Sequence, residues 1–253
     1  MNILNNFRPI DLSEMSTIRL MNRIDTKYMT NRHFIPDLLE KAIANYRVQV
    51  IENKPISLYR TLYYDTADVE MYIAHHNRKL QRQKVRTRTY MSSSSKLSFL
   101  EIKNKTNQGR TKKKRIEISP DDFFDFKTNQ NAVDFLHSHS TYNTSVLQPQ
   151  VANSFERITL VNDAKTERLT IDYNFYFENK TTGKNIAVPD LAIIELKQDG
   201  LCHSLFKDFL LEARISPVSI SKYCLGTILT NENVKSNRFK RKLFFIDKII
   251  KIM

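Results

Sequence analysis

Charged side chains recur at every second position of several segments of this chain. In the segment KVRTRTY they are Lys84, Arg86 and Arg88, and in FLEIKNK they include Glu101 and Lys103. Successive side chains of a β-strand point to opposite faces, so each set shares one face of a predicted strand. Because guanidinium groups bind phosphate oxygens in a bidentate manner, the two arginines are candidate phosphate ligands. A solvated outer face is the alternative for this segment alone.

The motif LEIK has a near repeat, IELK, later in the chain. Glu101 precedes Lys103 by two residues, and Glu195 precedes Lys197 by two, so each motif places an acid and a base on one strand face. Carboxylates beside bound phosphates are natural ligands for Mg²⁺ or Mn²⁺. Salt bridges between strands are the alternative.

The same alternation continues in three further segments, TKKKRIEI, FERITL and ERLTID. A lone arginine in such a segment is usually a surface group or part of an ion pair. The repetition over several strands nevertheless favours a cavity lined by charged residues. The additional residues on this pattern are Lys113, Arg115, Glu117, Arg157, Arg168 and Asp172.

Composition limits the class of protein. The chain has 253 residues, of which 41% are hydrophobic and 26% charged, which is typical of a globular protein with one core. The formal net charge of +13 predicts a polyanionic partner: nucleic acid, an anionic membrane surface or a phosphate-rich small molecule. Cys202 and Cys224 lack a short metal-type spacing, and neither a signal peptide nor a membrane span is evident, so we expect a cytoplasmic protein.

The order of predicted elements indicates an antiparallel α+β domain with helices on one side of the sheet. Gly183 marks a hairpin turn, and His75 with His76 are expected at the surface. Strands are predicted at 56–65, 84–91, 97–106, 111–119, 153–162, 167–178 and 190–198. Helices are predicted at 31–45, from Thr66 or Asp68 onwards, as a pair within 120–138, and at 203–214 and 219–229.

The C-terminal segment is basic and amphipathic, which predicts a domain over residues 1–230 and a separate tail over 231–253. From Arg238 onwards, lysines and arginines alternate with leucine, phenylalanine and isoleucine. Such a segment could lie peripherally on an anionic membrane. A final helix packed on the domain, with its lysines in solvent, is the favoured alternative.

Taken together, these motifs resemble the VTC domain of polyphosphate polymerases, a branch of the CYTH-like triphosphate tunnel metalloenzyme superfamily. The resemblance runs over about residues 7–229 and depends on the order of its motifs. These are RIDTKYMT, YRTLYYDT, KVRTRTY, FLEIKNKT, KKKRIEI, SFERITL, ERLTIDYNF, AIIELK and SISKYCLG. One departure is Ile102, where an arginine often stands between the acid and the lysine.

The resemblance implies an antiparallel β-barrel, the triphosphate tunnel, with flanking helices and inward basic residues that bind phosphates. It also implies a divalent metal, Mn²⁺ or Mg²⁺, at Glu195, with Glu101 and Glu117 as helpers. By motif, the catalytic phosphate ligands are Lys27, Arg86, Arg88, Lys103 and Lys222. The further phosphate-binding residues are Lys113, Arg115, Arg157, Arg168 and Lys197.

The resulting hypothesis is an enzyme, a metal-dependent phosphotransferase that moves the γ-phosphate of ATP onto inorganic polyphosphate. A triphosphatase or nucleoside triphosphate hydrolase of the same fold is one alternative, and a polyphosphate-binding module without turnover is another. Specific nucleic-acid binding is not expected, because the basic residues alternate into a lumen rather than covering an exposed face with stacking aromatics. The sequence does not predict the oligomeric state.

Overall fold

Strands dominate the computed structural model, which describes residues 2–18, 20, 23–91 and 96–251. In this part of the chain eleven strands form one sheet. Their bounds are β1 Arg8–Ile10, β2 Arg23–Asn31, β3 Tyr46–Gln49, β4 Ile56–Asp65, β5 Arg82–Tyr90, β6 Leu97–Lys105, β7 Thr111–Ile118, β8 Gln148–Asn162, β9 Glu167–Asn179, β10 Asn185–Val188 and β11 Leu191–Asp199.

The flanking α-helices are short, and the C-terminal one is the longest of those described. Their bounds are α1 Leu12–Thr17, α2 Ile35–Ala42, α3 Glu70–His76, α4 Gln130–His139, α5 Leu205–Glu212, α6 Lys222–Thr230 and α7 Lys240–Lys251. None of the helices in the described ranges is long and apolar enough to cross a bilayer.

Antiparallel pairing connects the strands in the order β2, β11, β9, β8, β4, β5, β6 and β7. Outside this path, β1 pairs with β3 in parallel, β3 pairs with β8, and β10 pairs with β9. The sheet curls into a half-barrel whose hydrogen-bonded path, among the described residues, ends at β2 and β7. The predicted α+β class with an antiparallel sheet and flanking helices is confirmed.

The curl makes the charged face concave. Lys103 on β6 and Glu195 on β11 are five strand steps apart, which would be about 24 Å on a flat sheet. The pKa of Lys103 is lowered chiefly by the charge of Arg86, yet the Glu195 carboxylate also acts on it, in the opposite direction. Two such distant strands interact only if the face bearing these residues is the inside of the curve. We call it the concave face.

The opposite, convex face is apolar and covered by helices. Helices α2 and α5 pack over a cluster that includes Ile171 and Ile194, and α4 packs beside Val85 and Ile102. In β5, β6 and β11 the buried aliphatic positions alternate with the charged ones, as predicted from the sequence. Burial of these apolar side chains orients the charged residues towards the concave side.

Helices also cover one end of the concave face, which corrects the expectation that they lie on one side. Helices α3, α6 and α7 enclose a second cluster with the strand residues Phe175, Phe177 and Ile193. A Cβ atom on Gly226 of α6 would lie 2.7 Å from both Phe177 Cδ1 and Val151 Cγ1, so only glycine allows this close contact. Charged residues therefore line one part of the concave face, and packed aromatics fill the other.

A β-bulge in β9 allows a charged and an aromatic side chain at positions of opposite parity to face the same side of the sheet. Between the pairs Glu156–Tyr173 and Ser154–Tyr176, β9 has one residue more than β8, and Asn174 there has a φ of +56°. Asparagine tolerates this left-handed conformation better than most residues. Because the extra residue reverses the alternation, Asp172 and Phe175 both face the concave side.

The histidine pair is not at the surface, which is a second correction. His76 is buried and packs against Tyr72 and Phe239. Burial, with the nearby charge of Lys84, lowers the pKa of His75 to about 2. These histidines belong to the packing of α3 against the segment that precedes α7.

Candidate functional site

The concave face carries three carboxylates, each held by two basic side chains. The first is Glu101 on β6, which is fully buried and lies opposite Arg86 of β5 in the strand register. Arg86 Nε donates to Glu101 Oε2 at 2.8 Å, and Lys113 Nζ lies 3.1 Å from Oε1. Burial alone would raise the pKa of Glu101, but the charges of Arg86, Arg88 and Lys113 lower it below its usual range.

Asp172 on β9 is the second carboxylate. Arg157 of β8 donates to it from Nε and Nη2 at 2.5 and 2.8 Å, in a bidentate pair. Lys222 Nζ, from the first residue of α6, lies 2.5 Å from Asp172 Oδ2. Burial would raise the pKa of Asp172, but Arg157 and Lys222 lower it to about 2. This carboxylate therefore attaches the start of α6 to the sheet.

Glu195 on β11 is the third carboxylate and the predicted metal ligand. Lys27 Nζ of the neighbouring strand β2 donates to Oε1 at 2.8 Å, and Lys197 Nζ lies 3.1 Å from Oε2. Burial would raise the pKa of Glu195, but Lys197 and Lys27 lower it well below its usual range. Burial lowers the pKa of Lys197 to about 8.

At least four more basic residues face the same space without a carboxylate partner among the described residues. Arg88 is buried, and its described hydrogen bond goes from Nε to Thr61 Oγ1 at 3.2 Å. Lys84 donates to Ser221 Oγ at 2.7 Å. The other two, Lys103 and Arg168, have no ion pair in the described ranges; the charge of Arg86 and burial lower the pKa of Lys103, and burial lowers that of Arg168.

Such a surplus of buried and half-buried positive charge is unfavourable in the absence of an anion. Burial lowers the pKa values of Lys84 and Arg88, neither of which has a carboxylate partner in the described ranges. The arrangement can bind a polyanion through several basic groups at once, with little rearrangement of the strands that hold them.

Aromatic rings support the arginines. Arg157 and Arg88 lie over the Tyr59 ring at 4.7 and 5.5 Å from its centroid, and Arg86 donates to the Tyr63 hydroxyl at 3.2 Å. These contacts restrict the guanidinium groups without neutralising them.

The predicted residues on the edge strand β7 lie at the margin of the site. Lys113 reaches Glu101, whereas Arg115 is exposed and stacks over Phe99 at 4.5 Å. Glu117 is exposed and lies opposite Phe99 rather than Glu101 in the register, so the two carboxylates are not brought together. Lys112 and Lys114 point to the other face of β7, where both are exposed.

The donor set fits a metal ion that arrives with phosphate better than a metal held by the protein alone. The described residues contain no group of three or more histidines, cysteines or carboxylates that could hold an ion. Mg²⁺ commonly uses one or two carboxylates, several waters and substrate phosphates. Glu195 supplies one such carboxylate, provided that the phosphates take over its lysine contacts.

Some residues of the site were not assigned a role from the sequence. Asp172 is the partner of two predicted phosphate ligands, and Ser221 contacts Lys84. Asp172 could have been identified as a residue of the site because it lies four residues after Arg168 on the same strand face. Thr61 and Tyr63 gave no signal, because hydroxyls in an aromatic strand are common.

The curled antiparallel sheet defines the class of fold, and a solved structure shares it. A Bacillus halodurans protein described as a candidate adenylate cyclase is 15% identical, with a TM-score of 0.52, over 80% of this chain and 96% of that one. A Pyrococcus horikoshii protein is 12% identical, with a TM-score of 0.45, over 81% and 98%. At 15% identity the likeness to the Bacillus halodurans protein shows the fold alone.

Residues 22–231 match the model of the VTC domain family. This chain belongs to the VTC domain family, as its motifs predicted. No curated protein sequence matches it.

Proposed function

We propose that this protein is a polyphosphate polymerase-like phosphotransferase, which moves the γ-phosphate of ATP onto the end of a polyphosphate chain. The observation that carries the proposal is a set of basic residues on the concave face without carboxylate partners in the described structure, led by the buried Arg88 and the half-buried Lys103. Membership of the VTC domain family supports the same substrates.

In this proposal the arginines of β5 hold the triphosphate of ATP. Arg86 and Arg88 lie on one strand face, two residues apart, which suits neighbouring phosphates of one chain. Lys103 and Lys222 add charge from β6 and α6, while Lys27 and Lys197 surround Glu195. Arg157, Arg168, Lys113 and Arg115 extend the basic surface along which the product lies.

The reaction forms a bond between a terminal oxygen of polyphosphate and the γ-phosphorus, and it breaks the bond between that phosphorus and its bridging oxygen. ADP leaves with the bonding electrons. Such transfers need positioning and stabilisation of charge on the phosphoryl oxygens more than covalent help from the protein. Glu195 would hold a divalent metal, which would supply positive charge to neutralise the phosphates.

Incubation of the purified protein with ATP and Mn²⁺, followed by gel separation of the products, tests the proposal. Long polyphosphate chains and ADP are expected. Orthophosphate without chains would replace the proposal with a triphosphatase of the same fold. Retained polyphosphate binding without any turnover would replace it with a binding module.

Glu195→Gln separates catalysis from binding. The amide removes the carboxylate for the metal and frees Lys27 and Lys197, so we expect turnover to fall about 100-fold or more while polyphosphate affinity stays equal or rises. The matched control is Glu212→Gln, which breaks an exposed pair with Lys41 on the convex side and should leave both quantities unchanged. Full activity of Glu195→Gln would contradict the assigned role.

ATP and polyphosphate as substrates, the divalent metal as cofactor and a cytoplasmic location are predictions. We also predict that the protein does not bind specific nucleic acids. Measurement of DNA and RNA binding as a function of salt concentration tests this directly.

A further inference from the structure

Helix α7 has two different faces, and the inner one packs against the domain. Ile246 and Ile249 are buried in the cluster on the concave side, and Asn31 Nδ2 donates to the Ile249 carbonyl oxygen at 2.6 Å. At the other end, Phe239 packs on Tyr72 just before the helix begins. The helix is thus held at both ends against the domain, as the favoured alternative for this segment predicted.

Burial of the isoleucines fixes which side chains face outwards. Arg241, Phe244, Phe245 and Lys248 form an outward ridge on the far side of the helix, because residues three and four apart share a face. Phe244 is 62% exposed and Phe245 is 45% exposed. The Lys248 ammonium lies 4.7 Å from the centroid of the Phe244 ring, so basic and aromatic groups are neighbours on this ridge.

Most of the charged side chains of the helix are basic. Its sequence, KRKLFFIDKIIK, contains a single acid, Asp247, against four lysines and one arginine. A helix that served only to cover the domain would need apolar residues on its inner face alone. Two adjacent exposed phenylalanines bordered by basic residues are instead typical of helices that lie on a lipid surface.

We propose that the outward ridge of α7 docks this domain on the surface of an anionic phospholipid bilayer. Phe244 and Phe245 would enter the headgroup region, and Arg241 and Lys248 would contact lipid phosphates. The ridge is one helix wide and offers only two large apolar side chains, which is far less than the apolar centre of a stable protein interface. A bilayer needs no complementary groove, so this ridge is sufficient for it.

A tryptophan reporter tests the proposal directly, because the chain contains no tryptophan. Phe244→Trp places the only indole on the ridge, and Leu211→Trp, at an exposed position of α5, is the matched control. Vesicles of phosphatidylcholine mixed with phosphatidylglycerol should shift the emission of the ridge reporter to the blue and leave the control unchanged. Vesicles of phosphatidylcholine alone should shift neither. An unshifted ridge reporter would overturn the proposal.

Co-sedimentation with the same vesicles measures the contribution of each group. We expect Phe244→Ser/Phe245→Ser to weaken partitioning about tenfold or more, and each of Arg241→Gln and Lys248→Gln to weaken it about fivefold. Leu211→Ser is the control, and circular dichroism checks that each variant is folded. Unchanged partitioning of the phenylalanine variant would overturn the proposal.

Two other origins of vesicle binding have distinct outcomes. If excess polyphosphate displaces the protein from vesicles, the concave face rather than α7 holds the lipid, and the proposal fails. If sedimentation velocity shows a dimer that the phenylalanine variant loses, the ridge binds a second copy instead. The proposal is independent of the catalytic one, because vesicle binding of Glu195→Gln should equal that of the unmodified protein.

Discussion

Individual basic residues of the concave face differ in whether a carboxylate compensates their charge. Arg157 forms a bidentate pair with the buried Asp172, whereas Arg88 has a hydroxyl as its described partner. Loss of one partner of a buried ion pair destabilises the fold, and a buried arginine without a carboxylate partner destabilises it until an anion binds. Removal of Arg88 should therefore raise the stability of the ligand-free protein while weakening anion binding, whereas removal of Arg157 should lower the stability.

Arg88→Met and Arg157→Met test this difference. We expect Arg88→Met to raise the free energy of unfolding of the ligand-free protein by about 1 kcal/mol while weakening tripolyphosphate binding, since an uncompensated buried charge is removed. Arg157→Met should lower the free energy of unfolding by about 3 kcal/mol, because it removes one of two partners of a buried carboxylate. Urea titration and calorimetric binding provide both numbers. Destabilisation of equal size in the two variants would contradict the distinction.

Lys197 should make the affinity for the proposed polyanion depend on pH. Its pKa is lowered to about 8 in the free protein, and a bound phosphate would raise it, so the lysine is almost fully charged about one pH unit below that value and half charged at about pH 8. As pH increases above this value, affinity should fall by up to about tenfold per unit, and binding should take up a proton. In Lys197→Arg the guanidinium stays charged, so this part of the slope should vanish. An unchanged slope in calorimetric titrations of that variant would exclude Lys197 as the cause.

Among the elements, α6 connects the charged and apolar parts of the concave face. Its first residue, Lys222, binds Asp172, and Gly226 one turn later lies against Phe177 and Val151. A shift of this helix would move Lys222 and Ser221 relative to the strands. The packing at Gly226 is thus expected to control the geometry of the site as well as stability.

Gly226→Ala should destabilise the protein by about 1–3 kcal/mol, because the added methyl group overlaps both neighbours. Thermal unfolding measures the loss. The double variant Val151→Ala/Gly226→Ala restores space on one side and should recover part of it relative to the sum of the single variants. Purely additive effects would show that the glycine contact does not limit α6.

At the scale of elements, much of the fold could be predicted from sequence. The charge alternation in β5, β6 and β11 and the hairpin order gave the sheet and its charged face. The bulge at Asn174 could not be predicted, since strict alternation places Phe175 and Asp172 on opposite faces of the sheet. The helices that cover the concave side were not predicted for the same reason. Strand β10 was not predicted because it is short and follows the predicted turn at Gly183.

The candidate site was predicted less completely than the sheet. Residues with charge at alternating positions were identified, but which of them form pairs depends on contacts such as Lys27 with Glu195, 168 residues apart in the chain. Alternation is a local property, while pairing is set by the register between strands and by the docking of α6. This is why Glu117 was grouped with Glu101, although the register separates them.

For the whole molecule, the surplus of positive charge should make stability depend on anions. The net charge of +13 includes the uncompensated groups of the concave face, whose mutual repulsion opposes folding. Any anion that binds these groups only in the folded state shifts the unfolding equilibrium by mass action.

Tripolyphosphate at about 100 times its dissociation constant should stabilise the fold by about 2.7 kcal/mol, which corresponds to an increase in Tm of roughly 5–10 °C. Sodium chloride at equal ionic strength is the control, since it screens repulsion without bridging several basic groups. Equal effects of the two salts in thermal unfolding would show that general screening, not a site, accounts for the stabilisation.

The half-barrel form of the sheet has a consequence for long polymers. A closed ring would admit a linear polymer only by its end, so each molecule would have to be threaded. The sheet described here is not such a ring, because its hydrogen-bonded path ends at β2 and β7 among the described residues, and a sheet of this form can receive an internal stretch of the same polymer directly. Polyphosphate with both ends chemically blocked should therefore still compete with tripolyphosphate for the concave face, and in the proposed reaction long chains should be able to leave sideways between rounds of elongation.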